Sequence, residues 1–189
     1  MNIANKLTFA RIIMIPFFII FAIPTPSWIG EPIFTFHQSY GTLVALIIFI
    51  IASVTDLLDG YYARKLKLIT DLGKFIDPIA DKILITSALI LLVQRMEIPG
   101  YAVVIIIARD LIVDGLRLVV SQKGEVIAAN IYGKIKTNLQ IVSVCAYLLA
   151  FYINLWFIPQ IIFTLAIFAT IYSGIIYIRS SFIFLSKNK

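Results

Sequence analysis

This sequence of 189 residues has few charged residues, one cysteine and one histidine. Charged residues make up 14% of the chain and apolar residues 61%, whereas a soluble domain is about 45–50% apolar. The lone Cys145 lies in an apolar run and excludes an intramolecular disulfide. The lone His37 has no companion at metal-ligand spacing, which favours a surface residue over a metal site. The composition leaves no room for a sizeable soluble domain, and nothing in it suggests nucleic-acid binding.

What the sequence has instead is a series of long apolar runs. Runs of about 20 apolar residues can span a bilayer, so we expect an all-α polytopic membrane protein with six transmembrane helices in one bundle. An interfacial segment over residues 1–10 is expected to precede the first helix, and residues 1–189 to form a single domain. The predicted helices cover residues 11–23, 41–64, 73–94, 101–120, 133–152 and 157–178.

The positions of the basic residues predict the orientation in the membrane. If the N-terminus is cytoplasmic, the outer loops contain only Arg95, and the inner ends of the helices carry many lysines and arginines. The inner residues are Lys6, Arg11, Arg64, Lys65, Lys67, Lys74, Lys123, Lys134, Lys136, Arg179, Lys187 and Lys189. This bias follows the positive-inside rule. We therefore expect a multi-pass protein of the cell membrane with its N-terminus inside.

Four aspartates lie where the second and third predicted helices meet: Asp56, Asp59, Asp77 and Asp81. An ionised carboxylate near the bilayer core costs about 2.5–3.5 kcal/mol, and clustered like charges also repel one another. At about 100° per residue, Asp56 and Asp59 share one side of a helix, and Asp77 and Asp81 share one stripe of the next. Such a cluster indicates a bound cation, and a divalent metal is the simplest candidate.

Small residues accompany these aspartates and leave room for a ligand. The whole arrangement, D-x2-D-G-x2-A-R-x8-G-x3-D-x3-D, runs from Asp56 to Asp81. It resembles the signature of the CDP-alcohol phosphotransferase family, and all eight specified positions match. The alternative is that the aspartates simply pair with neighbouring basic side chains at the membrane interface.

The resemblance implies a role for each position of the motif. Asp56, Asp59 and Asp77 would be ligands of two Mg²⁺ or Mn²⁺ ions. Asp81 would be a further ligand or the general base that accepts the proton of the acceptor hydroxyl. Two metals about 4 Å apart can hold a diphosphate and stabilise the attacking and leaving oxygens. The residues that would shape the CDP pocket are Gly60, Ala63, Arg64 and Gly73, with Asn5 and Thr8 near the nucleotide.

A second polar group lies on the fourth and fifth predicted helices. It consists of Arg109, Arg117, Lys134 and Lys136. Arg109 and Arg117 are about 80° apart around the helix axis, so both can face one cavity. Buried cations in a membrane bundle need anionic partners. Asp110 and Asp114 could supply them, or the four cations could bind a substrate phosphate through bidentate arginine and point-charge lysine.

These basic segments, with Asn5-x-Leu7-Thr8-x2-Arg11 near the N-terminus, are similar to those of one branch of the family, the phosphatidylglycerophosphate synthases. One position departs, because Asp110 stands where glutamate is expected. The resemblance implies an integral membrane transferase acting at the cytoplasmic face. It would move the phosphatidyl group of CDP-diacylglycerol to sn-glycerol 3-phosphate and release CMP. It further implies a homodimer.

Two alternatives remain open. Within the family, the acceptor alcohol could instead be inositol phosphate or phosphatidylglycerol. In a different class, the aspartates could line the passage of a divalent-cation transporter. Transport favours acidic groups distributed across the depth of the membrane, whereas these four gather at one face.

Overall fold

The computed structural model describes residues 3–23, 40–65, 71–122, 131–153 and 155–187. Within these ranges, the side chains of residues 3–7, 56–65, 71–75, 122 and 184–187 are not described. The described residues form six α-helices and no strand, which confirms the predicted all-α class. The helices are α1 (Ile3–Ala22), α2 (Thr42–Lys65), α3 (Asp71–Gln94), α4 (Gly100–Gln122), α5 (Ile131–Ile153) and α6 (Phe157–Lys187).

Helices α2 to α5 lie close to their predicted bounds, and the outermost two helices are longer than expected. Helix α1 begins at Ile3 instead of near Arg11, so the predicted interfacial lead-in is part of the same helix. Helix α6 ends at Lys187 instead of near residue 178. Neither extension contains a proline or glycine, so the backbone continues its hydrogen bonding beyond the apolar run. The predicted loop over residues 24–40, with His37, lies outside the described residues except for Tyr40.

The chain divides into two compact units. Unit 1 comprises Met1–Glu97 and Val144–Trp156, and therefore contains α1, α2, α3 and the end of α5. Unit 2 comprises Ile98–Ser143 and Phe157–Lys189, and therefore contains α4, most of α5 and α6. The single domain expected from the sequence stays a prediction.

In unit 1, helix α1 packs against both α2 and α3. Its buried residues recur every three or four positions, which is the spacing of one helix face. They are Thr8, Arg11, Ile15, Phe18 and Ala22. Phe18 meets Phe49 of α2 with the ring centroids 5.5 Å apart. The buried face of α1 is thus apolar along most of its length and polar at its N-terminal end, where Thr8 and Arg11 lie.

Helix α3 ends in a turn with the hydrogen bonds of a Schellman motif. The Met96 amide donates to the Val93 carbonyl at 2.9 Å, and the Glu97 amide donates to the Leu92 carbonyl at 3.0 Å. Met96 has a φ of 59°, the left-handed conformation that glycine usually occupies at this position. The motif pairs carbonyl groups that the end of α3 would otherwise leave unbonded.

The Arg95 side chain fixes this turn within unit 1. Its Nε donates to Glu97 Oε1 at 2.8 Å, and its Nη1 donates to Thr42 Oγ1 of α2 at 3.2 Å. Its guanidinium carbon lies 5.6 Å from the ring centroid of Phe151 on α5. One arginine therefore joins the end of α3 to two further helices of the same unit.

In unit 2, helix α6 packs against α4. The buried face of α6 begins with Phe163 and Ala166 and continues with hydroxyl side chains: Thr170, Ser173, Tyr177 and Ser181. The Thr170, Ser173 and Ser181 hydroxyls each donate to a carbonyl three or four residues earlier, at 2.6, 3.0 and 2.8 Å. These local bonds let an apolar helix carry a polar face without unpaired hydroxyl donors.

Two described segments, Ile131–Ile153 and Phe157–Ile183, are long and apolar enough to cross a membrane. Only 39% and 33% of their most apolar stretches are buried, so they differ from the buried core helices of soluble proteins. Large apolar side chains such as Leu165, Phe168 and Ile175 are exposed on α6. Together, these features are those of a membrane protein.

Candidate functional site

The eight positions of the aspartate motif fall on two helices of unit 1. Helix α2 carries Asp56, Asp59, Gly60, Ala63 and Arg64, and helix α3 carries Gly73, Asp77 and Asp81. Both helices are continuous through these positions. The side chains of the first six motif positions lie outside those described, so their expected roles stay predictions. Asp77 and Asp81 are described.

Asp77 and Asp81 lie one turn apart on α3, and both are half-buried. Helix α1 contributes Thr8, which the resemblance places near the nucleotide and which the sequence did not pair with a motif aspartate. The Thr8 hydroxyl, which is 1% exposed, donates a hydrogen bond to Asp77 Oδ1 at 2.5 Å. A hydrogen bond from a buried hydroxyl restricts the rotation of the carboxylate. Thr8 therefore holds one of the motif aspartates in a defined orientation.

The donor chemistry of this site suits a hard divalent cation. Carboxylate oxygens are preferred ligands of Mg²⁺ and Mn²⁺, and Asp77 and Asp81 present them from successive turns of one helix. The side chains that the structure describes include no group of three or more potential metal ligands. Asp56 and Asp59 are outside that set. The described residues fit the expected metal by their chemistry, and the full ligand set and number of ions stay predictions.

The second predicted group lies in unit 2 and centres on Asp110. Arg109 Nη1 donates to Asp110 Oδ1 at 2.9 Å, and Lys136 Nζ lies 2.6 Å from both Asp110 carboxylate oxygens. The three side chains are only 12%, 19% and 9% exposed for Arg109, Asp110 and Lys136. Asp110 thus pairs with two predicted basic residues, as one hypothesis expected. Two cations share this carboxylate.

Arg117 is held by a neutral partner on α6. Its Nη2 donates to the Tyr177 hydroxyl at 2.7 Å, and its guanidinium carbon lies 4.9 Å from the Tyr177 ring centroid. No carboxylate among the described side chains lies within ion-pairing distance of Arg117, and its buried Nε has no hydrogen-bond partner there. An unpaired buried donor costs about 1–3 kcal/mol. Arg117 therefore has both charge and hydrogen-bonding capacity for a ligand.

Three α6 residues that the sequence analysis did not single out lie against the arginines of α4. Ser173 Oγ accepts a hydrogen bond from Arg109 Nη2 at 2.8 Å, and the Arg109 guanidinium carbon lies 5.5 Å from the Tyr177 ring centroid. A Cβ added at Gly174 would lie 2.9 Å from Arg109 Cγ. The only signal in the sequence is that these small or polar residues share one face of an otherwise apolar helix.

The two lysines of this group have different surroundings. Lys136 is 7% exposed and bound to Asp110. Lys134 is exposed, and the structure gives it no hydrogen bond or ion pair with a described residue. Residues two positions apart on a helix differ by about 200°, so these lysines do not share a helix face. The expected role of Lys134 in phosphate binding stays a prediction.

The sequence similarity to known proteins covers both the aspartate motif of unit 1 and the basic residues of unit 2. A family model described as CDP-alcohol phosphatidyltransferase matches residues 1–172. The CDP-diacylglycerol–glycerol-3-phosphate 3-phosphatidyltransferase of Bacillus subtilis is 50% identical over 148 residues, which are 78% of this chain and 77% of that protein.

Two further relatives cover still more of the chain. A probable phosphatidylglycerophosphate synthase of Mycobacterium tuberculosis is 37% identical over 177 residues, which are 94% of this chain and 80% of that protein. A CDP-diacylglycerol–glycerol-3-phosphate 3-phosphatidyltransferase of Haemophilus influenzae is 36% identical, with 94% of this chain and 92% of that protein aligned. The chain belongs to the CDP-alcohol phosphatidyltransferase family.

Proposed function

We propose that the protein is an integral membrane transferase that moves the phosphatidyl group of CDP-diacylglycerol to sn-glycerol 3-phosphate. A hydroxyl oxygen of the acceptor forms a bond to the lipid-side phosphorus, and the bond from that phosphorus to the bridging diphosphate oxygen breaks. The hydroxyl proton passes to a carboxylate, CMP leaves, and phosphatidylglycerol phosphate forms. Family membership and the names of the three relatives support this assignment.

The excess positive charge in unit 2 is the observation that supports a phosphate monoester as the acceptor. Arg109, Lys136 and Arg117 contribute three positive charges, and the α4 carboxylates Asp110 and Asp114 contribute two negative charges, so the cations are in excess. A phosphate monoester carries about −1.5 to −2 at pH 7, so sn-glycerol 3-phosphate would neutralise this group. The phosphodiester of phosphatidylglycerol carries about one negative charge and would bind these cations less strongly than a monoester.

The motif aspartates are proposed to hold two Mg²⁺ or Mn²⁺ ions: Asp56, Asp59, Asp77 and Asp81. Bound divalent ions would neutralise the diphosphate and stabilise negative charge on the attacking and leaving oxygens. Asp77 and Asp81 supply carboxylates from α3, and Thr8 keeps Asp77 in one orientation. Asp81 is further proposed to accept the proton of the acceptor hydroxyl as general base.

The remaining proposed roles concern substrate binding. The residues assigned to CDP are Gly60, Ala63, Arg64 and Gly73, and those assigned to the acceptor phosphate are Arg109, Arg117, Lys134 and Lys136. Glycine and alanine leave space for the nucleotide, and the guanidinium of Arg64 is suited to its phosphates. In this mechanism the protein binds and orients both substrates, so positioning and electrostatics account for most of the rate enhancement.

We also propose how the chain lies in the cell membrane. The six helices would each span it, with the N-terminus and the aspartates at the cytoplasmic face. The distribution of basic residues supports this orientation, and the exposed apolar side chains support contact with lipid. CDP-diacylglycerol would enter laterally with its acyl chains in the bilayer. A homodimer is proposed from the family resemblance alone.

The alternatives are a different acceptor alcohol and a divalent-cation transporter. Phosphatidylglycerol, a phosphodiester, offers these cations a smaller negative charge than a monoester does, whereas inositol phosphate, also a monoester, offers the same charge as sn-glycerol 3-phosphate. A divalent-cation transporter is disfavoured because the four motif aspartates gather where two helices meet, whereas transport favours acidic groups distributed across the depth of the membrane.

Purified protein in detergent, supplied with CDP-diacylglycerol and Mg²⁺, tests the proposal through CMP release. The acceptor panel is sn-glycerol 3-phosphate, inositol phosphate, phosphatidylglycerol and glycerol, and Asp81→Asn is the matched inactive variant. We expect CMP release with sn-glycerol 3-phosphate and little with the other three alcohols. Faster release with another acceptor contradicts the assignment, and undiminished turnover in Asp81→Asn contradicts the mechanism.

A further inference from the structure

One face of α6 is shaped around the two arginines of α4. We call its residues Ser173, Gly174 and Tyr177 the arginine cradle. We propose that the arginine cradle positions Arg109 and Arg117 for the phosphate monoester of the acceptor, and that Tyr177 is the residue on which this positioning chiefly depends. This inference rests on the proposed function and assigns a role to a helix that none of the predicted site residues occupies.

Tyr177 contacts both guanidinium groups. Its ring centroid lies 4.9 Å from the Arg117 guanidinium carbon and 5.5 Å from that of Arg109. The two arginines are about 12 Å apart along the axis of α4, yet both side chains converge on this one ring. Tyr177 is only 4% exposed, so the ring is itself held in place. A fixed aromatic face attracts cations and limits where the two guanidinium groups can lie.

The hydroxyl of Tyr177 orients Arg117 without neutralising its charge, as an acidic side chain at this position would. It accepts a hydrogen bond from Arg117 Nη2 at 2.7 Å. A carboxylate here would orient the guanidinium equally well but would cancel its charge. Because the tyrosine hydroxyl is neutral, Arg117 is oriented and keeps its full positive charge. A neutral positioning group is therefore suited to an arginine that binds an anionic ligand.

Ser173 and Gly174 fix the second arginine. Ser173 Oγ accepts from Arg109 Nη2 at 2.8 Å. A Cβ at Gly174 would stand 2.9 Å from Arg109 Cγ, which is closer than side-chain atoms approach. Cγ is only two bonds from the backbone Cα of Arg109, so it cannot move aside without shifting the whole side chain. The absence of a side chain at Gly174 thus allows Arg109 to lie against α6.

The test compares Tyr177→Phe with Tyr172→Phe, which removes a hydroxyl from an exposed tyrosine of the same helix. Steady-state CMP release gives the KM of each substrate, and inorganic phosphate serves as a competitive probe of the acceptor site. For Tyr177→Phe we expect the KM of sn-glycerol 3-phosphate and the inhibition constant of phosphate to rise about tenfold. The KM of CDP-diacylglycerol is expected to change less than about twofold, and Tyr172→Phe to match the wild type.

A merely structural role of Tyr177 predicts a different pattern. Equal increases in both KM values, or reduced thermal stability with an unchanged phosphate inhibition constant, would overturn the proposal. If Tyr177→Phe does not fold, Ser173→Ala tests the same cradle through Arg109, and we expect the phosphate inhibition constant to rise about threefold. An unchanged constant in that variant also overturns it.

The cradle and the proposed function can fail separately. Thermal stabilisation of the purified protein by inorganic phosphate measures binding without turnover. In one outcome, the wild type releases no CMP with sn-glycerol 3-phosphate, but phosphate stabilises the wild type more than it stabilises Tyr177→Phe. That result supports the role of the cradle and contradicts the proposed reaction. If the wild type releases CMP normally and phosphate stabilises the wild type and Tyr177→Phe equally, the proposed reaction is supported and the role of the cradle is contradicted.

Discussion

The two units bury different kinds of side chain. The largest fully buried residues of unit 1 include the apolar Phe18, Phe49, Leu84, Leu89 and Leu92. Unit 2 instead buries a set of polar and charged side chains: Lys136, Gln140, Ser143, Thr170, Ser173 and Ser181. Within that set, Gln140 Nε2 donates to Thr170 Oγ1 at 3.3 Å. Unit 1 therefore has an apolar core with the buried Arg11 and Thr8 at one end, whereas unit 2 buries more polar side chains among its apolar ones.

This difference matches two separate tasks. In unit 1, Asp77 and Asp81 remain half-buried at the edge of the apolar core, where a hydrated divalent cation can reach them. In unit 2, Arg109 and Lys136 are largely removed from water, and charges interact more strongly in such surroundings. Under the proposed function, unit 1 chiefly determines the rate of reaction and unit 2 chiefly binds the acceptor phosphate. Variants in each unit should therefore change different kinetic constants.

The largest effect is expected from Asp77→Asn in unit 1. Asparagine keeps the volume and can still accept the hydrogen bond of Thr8, but it removes a negative charge from the proposed metal site. We expect kcat to fall about 10³-fold, while stabilisation of the protein by phosphate stays as in the wild type. CMP release and thermal unfolding in detergent measure the two quantities. Loss of phosphate binding in this variant would contradict the division of tasks.

The matching change in unit 2 is Arg117→Ala. It removes a buried guanidinium whose described partner is a neutral hydroxyl, so the phosphate loses a charged ligand and no buried carboxylate is left unpaired. We expect the KM of sn-glycerol 3-phosphate to rise about a hundredfold, with the KM of CDP-diacylglycerol nearly unchanged. Initial rates at varied concentrations of each substrate give both values. Equal changes in the two KM values would contradict the assignment of Arg117 to the acceptor phosphate.

A smaller effect is expected from Thr8→Val, which removes only the hydroxyl that binds Asp77. Residues that orient metal ligands typically contribute 10–100-fold to metal affinity or activity. We expect the Mg²⁺ concentration for half-maximal CMP release to rise about tenfold, and Thr8→Ser to restore it. A variant with lower thermal stability but normal Mg²⁺ dependence would show that Thr8 serves packing alone.

Gly174→Ala tests the buried polar side chains of unit 2 by adding a single methyl group. The added Cβ would meet Arg109 Cγ at 2.9 Å, so the arginine must shift, and the acceptor KM is expected to rise about fivefold. Gly115→Ala is the matched control on α4, because no atom lies within 4 Å of its added Cβ. We expect normal kinetics there. Equal KM values in the two variants would mean that the position of Arg109 is unimportant for the acceptor.

The sequence predicted the helices because these depend on local patterns, whereas the roles of the two groups of site residues stay predictions. Apolar runs determine where helices lie, and the spacing of Asp77 and Asp81 determines that they share one stripe. The hydrogen bond of Thr8 to Asp77 and that of Tyr177 to Arg117 were not predicted, because the partners are 69 and 60 residues apart in the chain. A tyrosine in an apolar membrane helix also resembles an interfacial aromatic residue, and only the packing of α6 on α4 reveals its contacts.

The smallest expected effect concerns Glu97, in the turn of unit 1 between α3 and α4. Burial raises the pKa of Glu97 above its ordinary value of 4.5, although the charge and hydrogen bond of Arg95 act in the opposite direction. The folded protein therefore holds this proton more tightly than the unfolded chain does. The free energy of unfolding should consequently fall as pH rises from 4.5 through the raised pKa.

Glu97→Gln isolates this contribution, because glutamine cannot titrate but still offers an oxygen to Arg95 Nε. We expect the thermal stability of the wild type to decrease with pH across that window relative to the variant, and the two curves to run parallel at higher pH. Thermal unfolding in detergent at a series of pH values provides the comparison. A difference that runs the other way would mean that the ion pair with Arg95 outweighs burial, and that even the apolar unit 1 draws net stability from a charged pair.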